Sequence, residues 1–337
     1  MRRDIGTDDP RVKVRPGKGS RPRSKVRPDY STKPRAVVTG IDRGRYRLLM
    51  DDTGVDVTAI KARELGRGAI AVGDRVRVTG DVSGRKDTLA RLVLIEERSS
   101  ELRRSPEEGE GREKVLVANA DMLAIVTAVA QPEPKFGMID RCIVAAYDAG
   151  MTPLLVVTKE DLGDATMLRE AYADLGLEVF VTNLGDDLDE ADSGVAALRS
   201  ALAGHETVLV GHSGVGKSTL INALIPQAQR ATGHVNEVTG KGRHTSTSAV
   251  SLALEANEGG RIIDTPGVRS FGLAHVSPDD ILRGFPELAN TAAEGCPRGC
   301  THSAEEPECA LDGLEGERER SRVASFRRLV GARSEQY

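Results

Sequence analysis

The sequence predicts a multidomain chain: a small N-terminal β-barrel, a doubly wound α/β domain, and a short helical C-terminal segment tied by a metal ion. Three observations predict it. Residues 36–98 break into short alternating segments between Gly and Asp turns. From 114 to about 275, apolar strands alternate with helical stretches. Three of the four cysteines crowd into residues 296–309. At 337 residues the chain is long enough for two or three units that each bury a core.

The first 35 residues stand apart. They carry 12 Lys/Arg against 4 Asp in a chain whose net charge is −4, so the tail is roughly +8 and the remainder roughly −12. Its Pro/Gly/Arg-rich composition has too little apolar surface to fold alone. It reads either as a solvated tail or as an arm that orders on a phosphate-rich RNA surface, where counterion release favours binding. The expected units are therefore a basic disordered tail (1–35), an RNA-binding barrel (36–98), an α/β domain (114–275) and a metal-binding helical segment (276–337). The N-terminus lacks the apolar core of a signal peptide. No apolar run approaches the roughly 20 residues that cross a bilayer. A cytoplasmic location, no membrane partner and a monomeric chain are expected.

In the barrel region, "AVVTGIDRGRYRLLMDD", "VDVTAIKA", "GDRVRVTGDV" and "TLARLVLIEER" are the strand candidates. About five such strands in this length suggest a closed Greek-key barrel of the OB kind; a plain spacer domain is the bland alternative. Residues 99–112 read as a charged linker. Beyond them, "KVLVAN", "MLAIVTAV", "PLLVVT", "VFVT", "TVLVG", "AVSLALE" and "RIIDTPG" are strand candidates, with helices expected at 139–149, 165–175, 190–203 and 217–225. Strand–helix alternation with buried strands argues for a mainly parallel sheet.

Within that domain "GHSGVGKS" follows an apolar strand and opens a helix. Gly211, His212, Ser213, Gly214, Val215, Gly216, Lys217, Ser218 and Thr219 form a phosphate-binding loop. Its glycines let successive N–H groups face anionic oxygens, Lys217 reaches the β/γ phosphates, and the helix dipole adds to both. The hydroxyl of Ser218 suits Mg²⁺. In "RIIDTPGVRSF" Asp264 ends a strand, where a carboxylate holds Mg²⁺ through water, and Gly267 turns its N–H toward the γ-phosphate. "TKED" supplies Thr158, Lys159, Glu160 and Asp161. Asp161 accepts from the N1–H and exocyclic amine of guanine, which adenine does not offer, and a buried carboxylate left unpaired is costly. The aliphatic stem of Lys159 covers the base face. Asn is usual where Thr158 stands, and a hydroxyl replaces its amide. A P-loop kinase would leave "TKED" without a task.

Ordinary GTP-binding domains place the phosphate loop first and the base loop last; here the order is reversed. Chain termini of compact domains often lie close together, so joining the old ends and cutting elsewhere leaves the site intact. The reversal reads as a circular permutation. It also places DTPG directly ahead of residues 276–337, so movement on loss of the γ-phosphate is expected to pass into that segment.

Many GTPases place Gln after DxxG to orient the attacking water; here that position is Val268, which is unable to do so. The Gly-rich loop "ATGHVNEVTGKGRHTSTSAV" sits where a mobile first switch belongs. Either Thr245 or Thr247 would complete the Mg²⁺ shell. His244 is the candidate to orient water as a catalytic residue beside Lys217, against the bland reading of an exposed loop histidine. Arg243 suits phosphate or RNA.

"GCPRGCTHSAEEPECAL" contains Cys296, Cys300, His302 and Cys309. Three thiolates and one imidazole fill a tetrahedral Zn²⁺ shell with no place for water, so the site is expected to be structural. Cys142 reads as a small core residue.

Together, the barrel, TKxD ahead of GxSGVGKS, "GRHTST", "DTPGVRSFGL" and the terminal Cys-Cys-His-Cys knot resemble the ribosome small-subunit-dependent GTPase family (RsgA, YjeQ-like) from about residue 36 onward. The resemblance implies an OB-fold domain, a permuted P-loop GTPase and a zinc-binding domain. It also implies GTP hydrolysis stimulated by the small (30S) ribosomal subunit late in its assembly, with GTP/GDP, Mg²⁺, one Zn²⁺ and rRNA as ligands and His244 at the suggested catalytic position. The barrel has one tyrosine, Tyr46, and neither Trp nor Phe, which suits phosphate and shape recognition of folded rRNA better than base stacking. A GTP-sensing RNA scaffold without turnover and another permuted ribosome-assembly GTPase are the rival readings.

Overall fold

A computed structural model describes residues 29–66, 70–104, 114–184, 193–226, 249–254, 259–265, 271, 273 and 276–332. The N-terminal strands β1 (Arg35–Asp42), β2 (Arg45–Met50), β3 (Asp56–Lys61), β4 (Arg75–Gly80) and β5 (Ala90–Ile95) pair in the order β1-β2-β3-β5-β4, and β4 returns to β1. That closes the expected five-stranded barrel. Alternation turns Val38, Leu48, Val57, Val76, Val78 and Leu92 into one core. Arg43 and Gly44 both have positive φ (46° and 81°) in the two-residue turn between β1 and β2, the handedness that matches strand twist.

Residues 99–112, expected to be a linker, contain a strand. β6 (Glu101–Arg104) pairs antiparallel with β7 (Lys114–Ala118) as a separate two-stranded sheet. β7 was expected in the parallel sheet and is instead diverted to the junction with the barrel. Asn119 ties its end to that junction. It takes a left-handed φ of 56°, its Oδ1 accepts from the Ser99 N–H at 2.9 Å, and its Nδ2 donates to the Gly73 carbonyl at 2.9 Å. Gly73 sits at φ +90°, where an added Cβ would lie 2.0 Å from the Ala118 carbonyl oxygen. Fully buried Asp74 closes the junction by accepting from the Ala71 N–H at 2.7 Å and from Arg98 at 2.7 and 2.9 Å. That hydrogen-bonded partner raises the Arg98 pKa.

The main sheet runs β10 (Glu178–Val181), β9 (Thr152–Thr158), β8 (Met122–Ala128), β11 (Glu206–Gly211), β13 (Arg261–Asp264), β12 (Val250–Ala253). All neighbours are parallel except the β12–β13 pair. β8 is buried along its whole length and β9 at all but its first residue, as strands covered on both faces must be. Leu123, Ile125, Leu155 and Val157 face one helical layer, formed by α1 (Phe136–Asp148), α2 (Thr166–Ala173) and the C-terminal segment. Ala124, Val126, Leu154 and Val156 face the other, α3 (Ser193–Leu202) and α4 (Lys217–Leu224). The helices match expectation to within three residues at each described end. β12 also meets the barrel at a single Gly40–Val250 pairing.

The C-terminal segment holds α5 (Pro278–Leu282), α6 (Pro286–Gly295) and α7 (Glu317–Ala332). Three of the five arginines of the basic helix α7, Arg322, Arg327 and Arg328, are engaged within the protein. Arg328 pairs with buried Asp140 of α1 at 3.1 Å and lies over Tyr172, while Arg322 pairs with Glu287 and covers Phe285. Phe326 packs edge-on to Phe285 at 5.6 Å.

Candidate functional site

Because β8, β9 and β10 step outward from the sheet centre before the chain returns to β11, the direction reverses between β8 and β11. The crevice outside the carboxyl ends of such strands is where ligands bind in open α/β sheets. The loops predicted to hold the nucleotide lie there. TKED follows β9, GHSGVGKS follows β11 and DTPG follows β13. Phe271, past DTPG, forms a bridge with Arg104, ahead of β7, and its carbonyl accepts from Arg141 of α1 at 3.3 Å. The present ends of the domain are therefore neighbours, as the termini of compact domains often are.

Gly211 ends β11 against Val126 of β8, and an added Cβ would stand 2.6 Å from the Val126 carbonyl oxygen. Gly214 and Gly216 have φ of +85° and +86°, the left-handed backbone a loop needs to turn its N–H groups inward. Helix α4 starts at Lys217, so its free N–H groups and Ser218 and Thr219 open the same crevice. Lys217 forms an ion pair with Asp264, which brings together the residues expected at the β/γ phosphates and the Mg²⁺ shell. Thr265 fixes the strand end by donating to the Leu209 carbonyl at 2.7 Å.

The base loop touches the phosphate loop directly. Thr158 is buried, and its hydroxyl contacts the Val215 carbonyl at 2.5 Å and the Thr127 carbonyl at 3.2 Å. Lys159 takes φ 60° and donates to the Gln131 carbonyl. Glu160 and Asp161 lie in a single exposed 3₁₀ turn, Glu160–Leu162. Sequence reasoning passed over the loop between β8 and α1, which joins both: Gln131 holds Lys159, Pro132 stands 3.8 Å from where a Gly214 Cβ would be, and Lys135 contacts exposed His212 at 3.2 Å. Its position after a central parallel strand was the available signal. His244, Thr245, Thr247, Gly267 and Val268 lie outside the described residues, as does the tail to residue 28.

The ligand atoms of Cys296, Cys300, His302 and Cys309 lie within 4.8 Å of one another. His302 Nδ1 is 3.5 Å from Cys296 Sγ and 3.8 Å from Cys309 Sγ, and those sulfurs are 4.0 Å apart. A tetrahedral shell with Zn–S near 2.3 Å and Zn–N near 2.0 Å has edges of about 3.5–3.8 Å, so the residues present fit zinc. The other ring nitrogen faces Asp279 of α5 at 3.5 Å, the carboxylate–histidine pairing that fixes a metal-binding imidazole. Sequence reasoning missed Asp279. Its signal was the Ser277–Asp280 capping box that opens α5. Arg327 binds the knot to α7 by donating to the His302 carbonyl at 3.0 Å. Cys142 is fully buried in the core, and burial pushes its thiol up to about 12, as expected of an inert core residue.

A family model described as RsgA GTPase matches residues 95–274. The chain belongs to that family. It is 39% identical over 274 residues to the small ribosomal subunit biogenesis GTPase RsgA of Pseudomonas syringae pv. syringae, covering 78% of this chain and 75% of that one. Against the protein of the same name from Pseudomonas aeruginosa it is 42% identical over 233 residues, 66% of this chain and 65% of that one. The crystal structure of YjeQ from Thermotoga maritima is similar in fold, with a TM-score of 0.61 at 24% identity over 88% of this chain and 99% of that chain. YloQ, described as a circularly permuted GTPase, gives 0.60 at 22% identity over 93% and 100%. The OB barrel, the permuted P-loop domain and the C-terminal Cys₃His cluster are thus common ground between expectation and structure. No helix among the described residues is long and apolar enough to cross a membrane.

Proposed function

We propose that the chain is a cytoplasmic GTP phosphohydrolase that binds the small ribosomal subunit and acts late in its maturation, with turnover stimulated by the subunit. The observation that carries this reading is the meeting of a base loop, a phosphate loop and a DxxG strand end at one sheet edge in permuted order, within a member of the RsgA GTPase family. In this reading residues 36–98, 114–275 and 276–337 are its RNA-binding, GTPase and zinc-binding units, and the chain acts as a monomer.

Each residue then has a task. Thr158, Lys159, Glu160 and Asp161 form the base site, with Asp161 selecting guanine through its two donors. Residues 211–219 wrap the phosphates with N–H groups. Lys217 leaves Asp264 for the β/γ oxygens when nucleotide arrives, which frees Asp264 for Mg²⁺ with Ser218 and with Thr245 or Thr247. Mg²⁺ supplies Lewis-acid neutralisation of the phosphate oxygens. Gly267 donates to the γ-phosphate. His244 orients the attacking water, because Val268 has no polar group to do so.

The test is GTP turnover by the purified protein alone, with small subunits and with large subunits, repeated with His244→Ala. Stimulation by small subunits only, lost in His244→Ala with GTP still bound, supports the reading. GTP binding with no stimulation by either subunit would replace it with a nucleotide-sensing scaffold. Stimulation by large subunits alone would replace it with a different permuted assembly GTPase.

A further inference from the structure

We propose that Arg47 of the barrel is a positioning residue for GTP turnover: it seats an RNA phosphate over the strand pairing that joins β1 to β12. The inference rests on reading the barrel as RNA-binding and turnover as stimulated by the small subunit. Tyr46 and Leu48 point into the barrel core, so alternation turns Arg47 of β2 to the outer face, where it is exposed. Its guanidinium lies over Gly40 of β1. A Cβ built on that glycine would stand 2.6 Å from Nη2, 2.7 Å from Nε and 3.0 Å from Cζ. The φ of Gly40 lies outside the left-handed region, so the glycine serves to make room for the guanidinium. Among the described residues no hydrogen bond or ion pair occupies that guanidinium. An exposed, unpaired arginine fork suits a phosphate, and Arg45, two residues earlier, adds a second exposed cation on the same face.

The row in which Arg47 stands gives it a route to the nucleotide site. Arg47 pairs with Gly40, Gly40 with Val250 of β12, and Val250 with Asp264 of β13. Residues paired in a ladder turn their side chains to one face. Leu252 and Ile262, two residues from Val250 and Asp264, pack toward α3 and α4. Val250 and Asp264 therefore share that face, and the Arg47 guanidinium approaches it from the barrel side. Three strand spacings of about 4.8 Å each separate the two ends of the row. Gly40–Val250 is the single pairing between β1 and β12 among the described residues, so the hold of the barrel on β12 is narrow. A phosphate bound at Arg47 lies across this pairing. It fixes β12, and with it the ladder partner that carries Asp264.

The test follows GTP turnover against the concentration of small subunits. The proteins are wild type, Arg47→Ala, Gly40→Ala and the double variant, with subunit affinity and unstimulated turnover measured alongside. Arg47→Ala is expected to lower the stimulated kcat about tenfold, the worth of one charged hydrogen bond. Subunit affinity is expected to fall no more than about threefold, because many other phosphate contacts remain. Turnover without subunits, where Arg47 holds no phosphate, is expected to stay within about twofold. In Gly40→Ala the methyl meets only the end of a flexible side chain. It unseats the guanidinium without removing it, so stimulated kcat is expected to fall about as far while subunit affinity holds. The double variant is expected to be no worse than either single variant, since both break one path.

Full kcat at saturating subunits in Arg47→Ala would reduce the residue to an RNA contact and overturn the proposal. Full stimulation in Gly40→Ala, or losses that multiply in the double variant, would overturn it as well. Should Gly40→Ala not fold, kcat of Arg47→Ala at saturating subunits decides alone. A wild-type protein that small subunits do not stimulate would instead sink the functional reading beneath the inference.

Discussion

In the proposed reading the phosphate loop at 211–218 meets its ligand with backbone N–H groups, whereas the knot at 296–309 would hold a metal ion with side chains. The loop is seated on a sheet whose strand β8 is buried end to end and whose strand β11 is buried at all but its two terminal residues. The knot sits in a stretch with one 3₁₀ turn, Ala310–Gly313, and borrows its support from Asp279, Phe326 and Arg327. A backbone cradle is therefore intolerant of a methyl at its glycines and indifferent at its variable positions. A side-chain cage is intolerant at its four ligands and more lenient at Gly299, the one glycine between them, where an added methyl meets nothing within 4 Å. Helix α1 touches both regions: Lys135, at its N-terminal cap, contacts His212 of the phosphate loop, and its middle holds α7 through Asp140 and Arg141.

That contrast is best attacked where the effects are largest. Removing zinc with a chelator, or replacing Cys300 by Ser, is expected to lower the melting temperature by on the order of 10 °C, because the knot has little apolar material of its own. Calorimetry reads this directly, and GDP affinity should change far less than it does in the next variant. Lys217→Ala is expected to weaken GTP binding by about 10²–10³-fold, since it removes the cation beside the phosphates; titration calorimetry measures it, with little change in melting temperature. Gly211→Ala is expected to cost about 2–3 kcal/mol in stability and to reduce GDP affinity, as its methyl would press on the Val126 carbonyl. Denaturant unfolding gives the first and titration the second. Gly299→Ala, in the knot, is the smallest expected change. Nothing lies within 4 Å of the added methyl there, so only the left-handed φ of +81° is strained, at about 1–2 kcal/mol, and zinc should remain bound at one equivalent by metal analysis.

How legible each region was follows from the range of the interactions that make it. The knot's ligands fall within fourteen consecutive residues, so spacing alone displayed them. The phosphate loop was equally local. Their supports were not: Asp279 precedes the knot by 17 positions and Gln131 precedes Lys159 by 28, and only the folded chain brings them together. β7 illustrates a different loss. "KVLVAN" has the apolar pattern of a buried parallel strand, yet it pairs with β6 at the barrel junction, where left-handed Asn119 is bound to Ser99 and Gly73 across long sequence separations. Helix α7 shows a different limit, since charge is visible in a sequence while pairing is not: Arg322, Arg327 and Arg328 are bound to α6, the knot and α1. Thr158 was legible as a departure from the usual Asn, but its bond to the phosphate loop was not.

The most direct measurement is a titration of the nucleotide-free protein with GDP and with ADP in Mg²⁺. The account predicts GDP binding at least about 100-fold tighter, since ADP leaves the Asp161 carboxylate without its two donors. Equal affinity for the two would contradict the joining of base loop and phosphate loop into one guanine-nucleotide site.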